Sequence, residues 1–94
     1  MLEHVLATAT PGNPTSVVET IDKWCWSSKE NWMMNVGDVK GKHLDDAITK
    51  YNPKVVLELG TYCGYSSVRM ARLLQEGATL ISIDVNPETT KIAQ

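Results

Sequence analysis

Apolar residues return along this chain at two different periods, and the change of period divides it. Val5, Leu6 and Ala9 share one possible helical face before Thr10-Pro11-Gly12-Asn13-Pro14 interrupts it, because proline lacks a backbone donor and glycine favours turns. Asn13 as N-cap with Pro14 at the first helical position predicts a second helix, whose apolar residues Val17, Val18, Ile21, Trp24 and Cys25 recur at helical spacing. Ser27-Ser28-Lys29-Glu30-Asn31 breaks the period. Trp32-Met33-Met34-Asn35-Val36-Gly37 is apolar without any period and reads as a loop. A third helix is expected from Asp38 to about Asn52, with Leu44, Ala47, Ile48 and Tyr51 at i, i+3, i+4 and i+7. Pro53 closes it, since the residue before a proline avoids helical angles.

Beyond Pro53 the pattern shortens. Val55-Val56-Leu57-Glu58-Leu59 is short, mostly apolar and rich in β-branched residues, which predicts a buried strand. Gly60 to Tyr65 forms a glycine-bearing turn, and a helix follows from about Ser66 to Glu76, with Val68, Met70, Ala71, Leu73 and Leu74 apolar and Gly77 as its stop. Thr79 to Val85 reads as a second strand, and Asn86-Pro87-Glu88 as a further helix start. The expected organisation is a helical segment over 1–52 and a βαβ unit over 54–94, with the right-handed crossover that parallel strands almost always take. Two parallel strands do not make a domain, because such sheets carry helices on both faces and usually several more strands. The pattern is therefore that of an α/β fold whose remaining sheet is missing from the chain.

Composition narrows the function classes. The chain has 94 residues, 43% apolar and 21% charged, with a formal net charge of -2, as a folded protein does. Nine basic against eleven acidic residues leave no surplus for a row of phosphates, so nucleic acid is not expected as a partner. No apolar run approaches the ~20 residues of a membrane span, and Met1-Leu2-Glu3-His4 does not open a signal peptide, so the expected compartment is the cytoplasm. Cys25 and Cys63 match neither a redox pair nor a zinc set and read as buried, reduced thiols. His4 and His43 have no partners at ligand spacing, and Lys40 and Lys42 read as a solvated helix face.

The chemistry concentrates in Glu58-Leu59-Gly60-Thr61-Tyr62-Cys63-Gly64-Tyr65-Ser66, where the first strand turns into its helix, with Asp84 ending the second strand. Ligands of open α/β sheets lie across the carboxyl ends of the strands, and an acid ending the second strand can accept both hydroxyl hydrogens of a ribose. An adenosine-containing ligand fits. A dinucleotide fingerprint needs G-x-G-x-x-G, whereas Gly60 and Gly64 are separated by three residues and one glycine is missing. Glu58 would also repel a pyrophosphate but suits a positively charged amino group. S-adenosylmethionine carries an ammonium, a sulfonium and a ribose and no phosphate, and an acidic-x-Gly-x-x-x-Gly turn with a second acid is the pattern of class I methyltransferases. More ordinary readings stand beside these: a paired core carboxylate for Glu58, an exposed strand-end acid for Asp84, a plain helix N-cap for Ser66, and packing for Trp24, Trp26 and Met70.

Met34-Asn35-Val36-Gly37-Asp38, Lys40-Gly41-Lys42, Glu58-Leu59-Gly60, Tyr62-Cys63-Gly64-Tyr65-Ser66 and Val68 to Leu74 closely resemble the catechol O-methyltransferases, collinearly from His4 to Gln94. The resemblance implies the N-terminal part of a seven-stranded, Rossmann-like α/β methyltransferase fold, a monomer when complete. It implies methyl transfer from S-adenosylmethionine to a catechol hydroxyl, as in catecholamine inactivation, with magnesium chelating both catechol oxygens and a lysine removing the proton. It assigns Val36 to the methionine part of the cofactor through its backbone, Glu58 to the amino group, Gly60 and Tyr62 to the turn, Ser66 to the carboxylate and Asp84 to the ribose. Trp32 and Met34 correspond to walls of the catechol pocket. Asp84 stands where the vertebrate enzymes carry glutamate, which retains the charge but can shift the ribose. The family's metal ligands and lysine lie beyond the second strand, and Asp38, Asp45, Lys40 and Lys42 do not replace them. The chain alone is expected to be inactive; a non-catalytic cofactor-binding product is the alternative, and a nucleotide-dependent oxidoreductase fits less well.

Overall fold

Asparagine followed by proline starts two of the helices in the same way. The computed structural model describes residues 1–94, as helices α1 (Leu2–Thr8), α2 (Pro14–Ser27), α3 (Gly37–Tyr51), α4 (Tyr65–Ala71) and α5 (Pro87–Ala93), strands β1 (Val55–Leu59) and β2 (Thr79–Ile83), and a 3-10 turn at Lys29–Asn31. The Asn13 carboxamide oxygen accepts from Ser16 N–H at 3.0 Å, and that of Asn86 from Glu88 N–H at 3.0 Å, so each satisfies an amide that the first helical turn leaves without a partner. At the other end of α3, Asn52 takes the left-handed conformation (φ +43°) and its N–H bonds the Ile48 carbonyl at 2.8 Å, ending the helix just before Pro53.

The helix expected from Ser66 to Glu76 is shorter. It stops at Ala71, and the chain tightens into i to i−3 bonds, Leu73 N–H to Met70 and Leu74 N–H to Ala71, before Gly77 (φ +85°) turns it toward β2. The face of α3 also differs. Ala47 and Tyr51 are exposed, while Gly41 and Ile48 are buried with Leu44 and Asp45 half-buried between them. The turn is polar because it meets an arginine.

β1 and β2 pair in parallel, from Val55 opposite Thr79 to Leu59 opposite Ile83. Alternation along a strand sends successive side chains to opposite faces. Glu58 lies on the face that α4 covers; Leu57, Leu59, Ile81 and Ile83 lie on the other and are exposed, as is Val85 at the strand end. The strand expected to be buried is thus covered on one face only: its residues are apolar on both sides, and the helices among these residues pack on one.

The core is centred on Val18 and Ile21 of α2 and Tyr65 of α4, the last only 2% exposed. Beside it sits Arg69, 5% exposed, whose Nε and Nη2 make a fork onto the two oxygens of Asp45 at 3.0 and 2.8 Å. Its Nη1 donates to the Tyr65 hydroxyl at 2.8 Å, and that hydroxyl donates to Asp22 of α2 at 2.7 Å. Arg72 adds a second cation to Asp45 at 2.7 Å. Three helices thereby meet on one guanidinium, and Gly41 leaves the space for it: a Cβ there would lie 2.5 Å from Arg69 Cζ.

Gly41→Ala should therefore lower stability by about 1–3 kcal/mol, the usual cost of overpacking, read as a fall in the urea midpoint. Arg69→Met should relieve most of that penalty in the double variant. Equal costs of Gly41→Ala in both backgrounds would contradict the proposed contact.

Candidate functional site

The turn between β1 and α4 is built from left-handed residues. Gly60 (φ +97°), Tyr62 (φ +50°) and Gly64 (φ +88°) all adopt the region that side chains resist. Tyr62 has no glycine's freedom and needs a holding contact. Asp84 supplies one: its Oδ2 accepts the Tyr62 N–H at 2.8 Å while Oδ1 accepts the Asn86 N–H at 2.9 Å. These backbone bonds, that of Tyr62 foremost, hold the Asp84 carboxyl below the ordinary aspartate range. Gly60 N–H continues the ladder to Ile83 O at 2.7 Å, so the turn leaves directly from the sheet. Gly64, not Ser66, is the N-cap of α4, and it makes no side-chain bond; Ser66 sits inside the first turn, half-buried, and the plain N-cap reading is corrected.

Glu58 is 9% exposed. Its Oε1 accepts the Ser67 hydroxyl, and the Ser82 hydroxyl at 2.5 Å; Ser82 stands directly opposite in the strand register and also meets the Thr61 hydroxyl at 2.6 Å. Oε2 accepts no hydrogen bond and is not among the sealed polar atoms. No cation pairs with this carboxylate, because the ion pairs of the chain join Arg69 and Arg72 to Asp22 and Asp45. Glu58 is thus paired with hydroxyls and not with a cation. What remains is a nearly buried acid supported by neutral donors, one oxygen still accessible, at the carboxyl end of a strand.

A second group forms a cleft of about 330 Å³ between α2 and the start of α3, where Trp32 and Val36 stand with Asp22, Cys25, Asp38 and Lys40. Met34 is 70% exposed and lies outside that lining. The cleft and the turn are joined through Tyr65, which follows Gly64 in the chain and whose hydroxyl reaches Asp22 in the cleft wall. Burial, then the neighbouring Asp38 charge, raises the Asp22 pKa against the lowering effect of that hydrogen bond, and burial followed by Asp22 raises that of Tyr65. Cys25 and Cys63 are half-buried rather than fully buried, and burial raises both thiol pKa values. His4 and His43 are exposed, as are Lys40 and Lys42.

Sequence reading missed Ser67, Ser82, Thr61, Tyr65, Arg69 and Asp22. A signal existed for one of them: Ser82 is a polar residue inside an apolar run, Leu80 to Ile83, and equal spacing from the strand starts puts it opposite Glu58.

The O-methyltransferase family model matches residues 13–94. The chain belongs to the O-methyltransferase family. Within this O-methyltransferase group it is 53% identical to the catechol O-methyltransferase of Mus musculus and 51% identical to catechol O-methyltransferase B of Danio rerio, in each case over the whole chain and 35% of the relative. The transmembrane O-methyltransferase of Homo sapiens is 40% identical over 97% of the chain and 31% of the relative. The chain spans about a third of the length of the curated relatives it matches and corresponds to their N-terminal part. In fold it superposes with TM-score 0.66 on the O-methyltransferase from Bacillus cereus, solved in complex with SAH, at 23% identity over 99% of this chain and 44% of that one. That likeness places the helices and two parallel strands within a Rossmann-like α/β architecture. No helix of this O-methyltransferase chain is long and apolar enough to cross a membrane.

The Asp84 clamp has a pH signature. A lowered folded-state pKa means that its stabilisation is complete above the unfolded aspartate value of about 3.9 and is lost as pH falls through the folded value. The Tyr62 amide resonance should titrate with a midpoint below that of unfolded aspartate, and the transition should vanish in Asp84→Asn. A midpoint at or above the ordinary value would contradict the clamp.

Proposed function

We propose that these residues are the N-terminal portion of a single-domain enzyme that transfers a methyl group from S-adenosylmethionine to a catechol hydroxyl. The observation that carries the reading is Glu58, a nearly buried carboxylate whose only partners are neutral hydroxyls. Burying a charge is costly unless it is paired, and a ligand ammonium on Oε2 completes the pair. A pyrophosphate in that place would be repelled. Asp84 retains lone pairs beyond the two that its backbone donors use, since an ionised carboxylate offers about four acceptor positions, and these receive the ribose hydroxyls. Gly60 and Tyr62 bring backbone close to the ligand, Ser66 offers its hydroxyl to the ligand carboxylate, and Val36 supports the methionine chain through its backbone.

Bound S-adenosylmethionine supplies an electrophilic methyl carried on a sulfonium. The chain's own part is to hold that ligand and to wall the catechol with Trp32 at the cleft, and with Met34 exposed beside it. By the family resemblance, magnesium and the proton-accepting lysine belong, in this reading, to residues outside 1–94. The mouse and zebrafish relatives, both catechol O-methyltransferases by name, support catechol as the substrate. The complete protein is monomeric and cytoplasmic in this account, and the 94 residues alone are inactive.

The test joins residues 1–94 to the remaining two thirds of the mouse relative and follows methyl transfer from labelled S-adenosylmethionine. Catechol should be methylated in a magnesium-dependent way, and the isolated chain should give no turnover. Glu58→Gln should weaken cofactor binding about tenfold or more, as expected for a lost charge-assisted bond, with catechol KM changing less than about twofold. Methylation of monophenols only, or activity indifferent to magnesium, would overturn the assignment.

A further inference from the structure

Four elements contribute to the surroundings of one oxygen atom. Glu58 comes from β1, Thr61 from the turn, Ser67 from α4 and Ser82 from β2. A hydroxyl has a single proton. Ser82 gives its proton to Glu58 Oε1, so Thr61 is the donor in the Thr61–Ser82 bond, and the chain of donors runs from Thr61 through Ser82 to Glu58, where Ser67 arrives from the other side. Both bonds reach Oε1 and none reaches Oε2.

That asymmetry has a mechanical consequence. The terminal torsion of a glutamate is broad, so a carboxylate left to itself samples a range of planes. Two donors converging on one oxygen fix that plane and leave the other, Oε2, as the free acceptor. The donors are also neutral, so they stabilise the carboxylate without cancelling its charge; an arginine in the same place would quench attraction for a cationic ligand. Arg69 and Arg72, which α4 and its C-cap carry, are committed to Asp45 and Asp22.

We infer that Ser67 is a positioning residue: with Ser82 it sets Glu58 so that Oε2 meets the amino group of the adenosyl amino-acid cofactor, and thereby sets preference for ligands that carry that amino group. This rests on the proposed cofactor role of Glu58. Ser67 makes no claim on the reacting atoms.

The measurement is titration calorimetry on the completed protein described above, comparing S-adenosylhomocysteine with its analogue in which hydrogen replaces the amino group. The parent should prefer the amino-bearing ligand by about tenfold or more. Ser67→Ala should reduce that preference at least about threefold while leaving the analogue's own affinity within about twofold, and Ser67→Thr, which keeps the hydroxyl, should restore it. Ser82→Ala should act in the same direction and serves if Ser67→Ala does not fold. Undiminished preference in folded Ser67→Ala, or in Ser82→Ala where the first does not fold, would overturn the positioning role while leaving Glu58 in place. Absence of any preference in the parent would instead remove Glu58 from the amino-group site, and the inference with it.

Discussion

The constraint on which the rest depends is the buried guanidinium of Arg69. At 5% exposure it cannot rely on water, and it is satisfied by the Asp45 fork and the Tyr65 hydroxyl. Such a cluster is weak evidence for stability, because desolvating the charges offsets much of their attraction. Its effect is geometric. Asp45 ties α3 to α4, Tyr65 ties α4 to Asp22 of α2, and Gly41 supplies the space without which α3 could not approach. Tyr65 is also the first residue of α4, directly after the N-cap Gly64, so the same cluster that docks the helices fixes where the glycine turn ends.

From that anchor the turn is held at its other end by the sheet. Two acids, Glu58 and Asp84, stand at the carboxyl ends of neighbouring strands in different surroundings. Asp84 is held by backbone N–H groups, which lower its pKa and restrain Tyr62 in a left-handed conformation; Glu58 is held by hydroxyls and lacks a cation. One arrangement suits a neutral polyol such as a ribose, the other an ammonium. A ligand carrying both groups at the two ends of one molecule matches the pair better than a dinucleotide does.

Much of this was legible in the residues. Asn13-Pro14 and Asn86-Pro87 announce helix starts by capping chemistry alone, and Gly60 and Gly64 mark a tight turn by their place between strand and helix. Other features required tertiary register. Asp45 and Arg69 lie 24 positions apart, and no local period shows that they meet; the same meeting explains why α3 turns Gly41 and Asp45 inward instead of Ala47 and Tyr51. Ser67 is an ordinary helix residue until the sheet is set behind it. The early end of α4 at Ala71 follows from the tightening of the chain toward Gly77, which apolar spacing through Leu73 and Leu74 conceals. The bare sheet face could be anticipated, since strands apolar on both sides need two covers and these helices provide one.

The central claim is that Glu58 and Asp84 divide one adenosyl amino-acid ligand between them. A crystal structure of the completed protein with S-adenosylhomocysteine tests it most directly. The account predicts the ligand amino nitrogen within about 3 Å of Glu58 Oε2, both ribose hydroxyls on the Asp84 carboxylate, and the Ser67 and Ser82 bonds to Oε1 retained. A ligand bound elsewhere, or bound at the turn with its amino group away from Glu58, would contradict it.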